Sequence, residues 1–295
     1  MSRLATARAI LRRPLSAAVT VVVAATSLVF LSASAPADAT PRPYLALGDS
    51  VVFGYITADG FAYRNADNFV GYPDYVSRTL HLTDVNAACP GEATGGFLSS
   101  TGADNGCRPF RANFPLHVSY AGTQEQFAVN FLDSHRNTRL VSLGIGANDA
   151  FLLENRCNND PQCIAAGLPA LLATISSNVD TILRSIRATH FHGVLVVVNY
   201  YSLDYSDAAG TGLVRALNAA ITAHAAADGA VVADVFTAFR NAASTAFAGG
   251  NTCRAGLLNA SPSNQLTCDV HPTQSGQQLL AKAVVAAARA ARGNH

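Results

Sequence analysis

The sequence contains no tryptophan, which excludes a sugar-binding platform built on indole rings, although Tyr200, Tyr201 and Tyr205 could substitute. Charge is scarce as well: 13% of the 295 residues are Asp, Glu, Lys or Arg, and the formal net charge is +1. A nucleic-acid partner needs a basic face, so none is expected. No Gly-x-Ser-x-Gly pentapeptide occurs, against an α/β-hydrolase nucleophile elbow. No Walker A motif and no His-Glu-x-x-His occurs either, against P-loop nucleotide and zinc-protease chemistry. There is no Cys-x-x-Cys, and no histidine sits near Cys89, Cys107, Cys157 or Cys163, so a metal site on the cysteines is not expected. A linker and an internal repeat are also lacking, which leaves one domain.

What is present is apolar: 49% of the chain is hydrophobic, enough for one domain with a large core. Residues 1–39 differ from the rest. Arg3, Arg8, Arg12 and Arg13 precede the run "LSAAVTVVVAATSLVFLSA", and "APADA" follows it. A basic start, an apolar middle and a small-x-small end form a secretory signal peptide. The rival reading, a transmembrane anchor, fits the length of the run, but no basic stop-transfer cluster follows. Cleavage is expected after Ala39, with Ala35 as the alternative, giving a secreted domain over 40–295 without a stable membrane anchor. Of 20 basic and 19 acidic residues, cleavage removes four arginines and Asp38, leaving 16 against 18. All six cysteines follow the signal, as a disulfide framework in an exported chain requires. Their positions cluster as Cys89 with Cys107, Cys157 with Cys163, and Cys253 with Cys268; sequential pairing is the simplest of the fifteen arrangements.

Short β-branched apolar runs mark five buried strands: 43–48, 82–88, 138–146, 193–201 and 229–235. Helical patterns at three-and-four spacing separate or follow them at 72–80, 122–135, 168–190, 212–228 and 275–292. The alternation predicts a parallel sheet with helices on both faces, here expected as a five-stranded sheet in the flavodoxin-like order 2-1-3-4-5. Such sheets bind ligands beyond the carboxyl ends of their strands, where the strand order reverses. Gly48-Asp49-Ser50 follows the first strand, "NAACPGEATGGF" the second and "GANDAF" the third, while "CDVHPT" precedes the last helix.

These segments hold the parts needed for acyl transfer. A serine hydroxyl needs a base, and histidine is the usual one. The negative charge that develops on an attacked ester carbonyl needs preorganised N–H donors, which the backbone of Gly91 and Ser50 and the side chain of Asn148 could supply. Each part also has a plain structural role: Asn148 bonding its own turn, Gly91 as the left-handed residue after Pro90, His271 as a helix cap, Asp49 as a brace. The histidines at 81, 117, 135, 190, 192 and 224 have no companion motif and are read as surface residues. Phe53, Phe97, Phe151, Leu152 and Leu153 follow these segments and could wall an acyl pocket or simply pack in the core.

Ser50 in "GDSVVFG", Gly91 in "NAACPGEAT", Asn148 in "GAND" and His271 in "DVHPT" together resemble the SGNH (GDSL) hydrolase family, most closely its exported actinobacterial esterases and lipases, in which three disulfides recur. The resemblance implies ester hydrolysis through an acyl-enzyme on Ser50, His271 as general base, and an oxyanion hole of Ser50, Gly91 and Asn148. It implies a three-layer α/β/α fold, a small-molecule or lipid ester substrate, no metal and no cofactor; a monomer is expected. One position departs: the family usually carries an acid three residues before the histidine, and here Cys268 stands there, with Asp269 one residue later. A turn favours the Cys268 carbonyl as the group that orients His271, whereas Asp269 reaches the ring only if the loop bends differently. Polysaccharide acetylesterase activity and a non-catalytic binding module are the alternatives, since the same fold supports them.

Overall fold

The computed structural model describes residues 41–57, 61–261 and 264–293; the expected signal peptide, with its cleavage positions, lies outside the described residues. The first strand, β1 (Arg42–Gly48), is fully buried from Tyr44 to Leu47, as a strand covered by helices on both faces must be. The short helix α1 (Ser50–Phe53) follows it, and α2 (Tyr72–Leu80) leads into β2 (Leu82–Asn86). The helices α3 (Thr94–Leu98), α4 (Cys107–Asn113) and α5 (Gln124–Ser134) precede β3 (Leu140–Gly144). Next come α6 (Ala147–Arg156), the long α7 (Pro161–Ala188), β4 (Val194–Val198), α8 (Ala208–Thr222), β5 (Ala230–Ala233) and α9 (Val235–Ala243). A hairpin of β6 (Leu258–Ser261) and β7 (Asn264–Pro272) then leads to α10 (Gln274–Gly293).

Strands β1 to β5 pair only in parallel, in the order 2-1-3-4-5, so the predicted sheet and three-layer fold are observed. One layer contains α2 and α10, which pack on each other and on β2, β4 and β5; α5, α7 and α8 form the other. The chain leaves β1 to one side for β2 and returns on the other for β3. The strand order therefore reverses between β1 and β3, whose last residues, Gly48 and Gly144, stand side by side. A Cβ on Gly48 would lie 1.9 Å from the Gly144 carbonyl oxygen at φ +140°, so only glycine permits this approach.

The structure departs from the sequence reading in element boundaries and in small elements. α7 begins at Pro161, capped by Asp160, and not near Leu168. Pro169 suggests a helix start, yet it sits on an exposed face within the helix. By length and composition α7 could cross a membrane, but Ile175, Val179, Ile182, Leu183 and Ile186 form a stripe buried in the core. The hairpin β6–β7 falls outside the five apolar runs, because its strands alternate apolar residues (Leu258 and Ala260; Leu266, Cys268 and Val270) with polar ones and form no continuous apolar run. Disulfides join Cys89 to Cys107, Cys157 to Cys163 and Cys253 to Cys268.

Candidate active site

At the end of β1 the buried Gln124 amide takes the place of a neighbouring strand: Gly48 N–H donates to Gln124 Oε1 (2.5 Å), and Gln124 Nε2 donates to the Gly48 carbonyl (3.0 Å). The chain then turns into α1 under the control of Asp49. Its Oδ1 accepts from the Val51 N–H at 2.9 Å, and its Oδ2 accepts from the Tyr200 hydroxyl. Burial raises the Asp49 carboxyl to about 6, against the lowering effect of the Tyr200 and Val51 hydrogen bonds. Asp49 is 1% exposed and braces the turn that presents Ser50.

Ser50 Oγ lies 3.1 Å from His271 Nε2, although 221 residues separate the two in sequence. His271 is on β7, and several bonds fix its segment. Tyr201 donates its hydroxyl to the Val270 carbonyl at 2.5 Å. Asn259 Nδ2 donates to the His271 and Pro272 carbonyls at 3.1 and 2.8 Å. The Tyr55 ring packs against the imidazole, with centroids 4.7 Å apart. The second ring nitrogen, Nδ1, is buried and completes no hydrogen bond among the described residues, but Asp269 Oδ1 stands 3.3 Å from it. The loop thus bends so that the carboxylate two residues back stands beside the ring. Asp269 also accepts from the His271 backbone N–H (2.6 Å) and from Thr57 Oγ1 (2.9 Å). Burial pulls this carboxyl up, yet its bonds to His271 and Thr57 hold it below the usual value. It is therefore ionised at neutral pH.

Gly91 and Asn148 approach the same crevice from β2 and β3. Gly91 has φ +84°, and a Cβ there would lie 2.6 Å from the Asn105 carbonyl oxygen. Asn148 is 5% exposed on the first turn of α6. Its Nδ2 donates to the Glu92 carbonyl (3.0 Å), and its Oδ1 accepts from Asn105 Nδ2 (2.9 Å). Ser50 contacts His271 and shares one cavity with Asn148, while Asn105 bonds both Asn148 and the Gly91 backbone.

A largely apolar cavity of about 320 Å³ opens from Ser50 and Asn148. Ile164, Leu168 and Leu172 of α7 face Leu213, Val214 and Leu217 of α8 across it. Phe151 and Leu153 line it, whereas Phe53, Phe97 and Leu152 do not. Phe53 and Phe97 are completely buried, Phe53 within a ring cluster with Phe69, Phe110 and His117. His117 is accordingly partly buried, with Nε2 2.9 Å from the Phe53 carbonyl, and is not a plain surface residue. Tyr200, Tyr201 and Tyr205 turn their hydroxyls inward, onto Asp49, Val270 and Phe236, and offer no ring platform for a sugar. Tyr200, Tyr201, Gln124 and Asn105 carry no motif; the pair "YY" directly after an apolar strand was the one signal available for the tyrosines. Among the described residues Glu92, Asp104 and Cys107 bring three potential metal ligands together. Cys107 is spent in a disulfide, and burial raises the Glu92 carboxyl to about 8, so this group is a poor metal site.

Comparisons with known proteins agree with this architecture. No curated protein sequence gives a significant match. Among solved structures, the α/β hydrolase LAE5 from the metagenome of Lake Arreo, Spain, is similar with a TM-score of 0.54 at 16% identity, over 85% of this chain and 96% of that one. The acetylxylan esterase Axe2 of Geobacillus stearothermophilus is similar at 0.51 and 16%, over 84% and 94%. Phospholipase A1 of Streptomyces albidoflavus is similar at 0.50 and 18%, over 86% and 99%. Residues 46–279 match the GDSL-like lipase/acylhydrolase family, from within the first strand into the start of the last helix. The chain is therefore a carboxylic-ester hydrolase that belongs to the GDSL-like lipase/acylhydrolase family.

Proposed function

We propose that the protein is a secreted serine esterase that cleaves esters of medium-length hydrocarbon acyl chains through an acyl-enzyme on Ser50. The observation that carries this reading is the 3.1 Å contact between Ser50 Oγ and His271 Nε2 at the mouth of an apolar cavity. His271 takes the serine proton as Oγ attacks the carbonyl, and Asp269 steadies the imidazolium that forms. The carbonyl oxygen gains charge facing the Asn148 amide and the Gly91 and Ser50 N–H groups. Collapse expels the alcohol, protonated by His271. Water then repeats the sequence and releases the acid.

The acyl chain enters between α7 and α8, and the polar alcohol remains outside, so a small-molecule or lipid ester fits and no metal takes part. An acetylesterase acting on a polysaccharide needs a shallow acyl site and an aromatic sugar platform, and the inward tyrosines leave the second unfilled. Three disulfides and the basic-apolar start of the chain support export.

The test is a panel of p-nitrophenyl esters with wild-type protein and Ser50→Ala. Each methylene buried in the cavity adds up to about 0.8 kcal/mol, or roughly fourfold in kcat/KM. Specificity should therefore climb from acetate to medium chains, and Ser50→Ala should be inactive on all of them. A maximum at acetate would overturn the acyl-chain reading, and an active Ser50→Ala enzyme the serine mechanism.

A further inference from the structure

Asn148 can bind an oxyanion only if its amide is turned the right way, and an amide has two faces of opposite polarity. One N–H is committed to the Glu92 carbonyl at 3.0 Å, which leaves the other for substrate. The oxygen end is held separately, by Asn105 Nδ2 at 2.9 Å. Asn105 is built for this contact. Asp104 accepts from the N–H groups of Gly106 (3.0 Å), Cys107 (2.6 Å) and Arg108 (3.0 Å), which fixes the turn on either side of it. The Cys89–Cys107 bridge ties that turn to the segment carrying Gly91. The Asn105 backbone N–H also donates to the Gly91 carbonyl at 3.0 Å, and a side chain at Gly91 would strike the Asn105 carbonyl. One residue thus touches both of the separate strand ends that face the reacting carbonyl.

We infer that Asn105 is a positioning residue for the reaction: its side chain locks the Asn148 amide with an N–H toward the substrate, and its backbone holds Gly91 in register with it. The hydrogen bond at Oδ1 also polarises the amide, making the opposite N–H a better donor as charge develops. This inference rests on the proposed role of Asn148 as an oxyanion donor. Asn105 itself touches neither Ser50 nor the acyl cavity, so it acts only through Asn148 and Gly91.

Three variants test it. Asn105→Ala deletes the side-chain donor and keeps the backbone bond to Gly91. It should lower kcat by about tenfold or more, less than the hundredfold or more expected for Asn148→Ala, with KM changed less than about threefold. On an Asn148→Ala background the same change should cost nothing further, because its route to the substrate is already gone. Asn105→Asp places an acceptor against Oδ1. Its loss relative to wild type should be larger at pH 8 and shrink toward pH 5, where a protonated carboxyl can donate again. A kcat for Asn105→Ala within twofold of wild type would overturn the inference. So would an equal loss on the Asn148→Ala background, the pattern of a merely structural residue. Should Asn105→Ala fail to fold, the pH-dependent ratio for Asn105→Asp carries the test, and a ratio flat in pH counts against it. A near-normal rate for Asn148→Ala would instead remove the oxyanion reading itself, with the Ser50–His271 chemistry left standing.

Discussion

Ser50 and His271 owe their contact to residues that do no chemistry. Asp49 caps the turn before the serine, while Tyr201 and Asn259 hold the carbonyls on either side of the histidine side chain. The orientation of the imidazole gives the sharpest test at this scale. Asp269 Oδ1 lies 3.3 Å from Nδ1, so Asp269→Asn should reduce kcat by at least a hundredfold; loss of a triad acid costs on the order of ten-thousandfold. A loss below about tenfold, with circular dichroism unchanged, would return the orienting role to the Cys268 carbonyl. Added chelator should leave the wild-type rate unchanged, and inactivation reversed by zinc or calcium would contradict a metal-free site. The sequence made the four candidate positions legible because each follows a strand or precedes the last helix within a recognisable short motif. It did not reveal Asn105, Gln124 or Tyr200. These are single polar residues whose partners lie 43, 76 and 151 positions away, so only the assembled fold shows what they do.

At the scale of elements, the cavity is a gap between helices, and its depth depends on α7. That helix starts seven residues earlier than its apolar pattern suggests, and Ile164 in the added turn lines the cavity. The cavity was therefore only half readable: Phe151 and Leu153 were visible candidates, but the facing walls come from the consecutive helices α7 and α8, whose cavity-facing residues carry no motif. Leu172→Trp fills the gap between α7 and α8. It should lower kcat/KM for medium-chain esters about tenfold or more relative to acetate, the worth of two methylenes at about 0.8 kcal/mol each. An unchanged chain-length profile would place the acyl group elsewhere. The hairpin β6–β7 offers a second test. Its bridge, Cys253–Cys268, closes a loop with a sequence separation of 15, worth about 3 kcal/mol in the chain-entropy model. Paired Cys253→Ser and Cys268→Ser substitutions should lower Tm and, because His271 sits three residues beyond the bridge, lower kcat as well. A Tm loss with full kcat would show that the hairpin holds the histidine without its crosslink.

For the molecule as a whole, buried acids set the response to pH. Glu92 is 3% exposed, and burial, joined by repulsion from Asp104, lifts its carboxyl from 4.5 to about 8. The folded state therefore keeps a proton that the unfolded chain releases near 4.5. Stability falls as pH rises through the window between these values, and the loss is complete above about 8. Glu92→Gln should match wild type in Tm near pH 5 and exceed it at pH 9 by at least about 2–4 °C, the shift expected per kcal/mol at this size. A Tm difference constant in pH would show that Glu92 titrates normally. The wider architecture was the most legible level, since five apolar strands separated by amphipathic helices admit few arrangements.

The distance along the chain between Ser50 and His271 has one more consequence. The proposed nucleophile leaves the first strand and the proposed base arrives on the β6–β7 hairpin, so no fragment that lacks either end can turn over an ester by that route. Such long-range closure is the slow kind of contact for a folding chain. Ester turnover in a refolding mixture thus counts only those molecules whose two ends have already met, and the enzyme carries its own assay of complete folding.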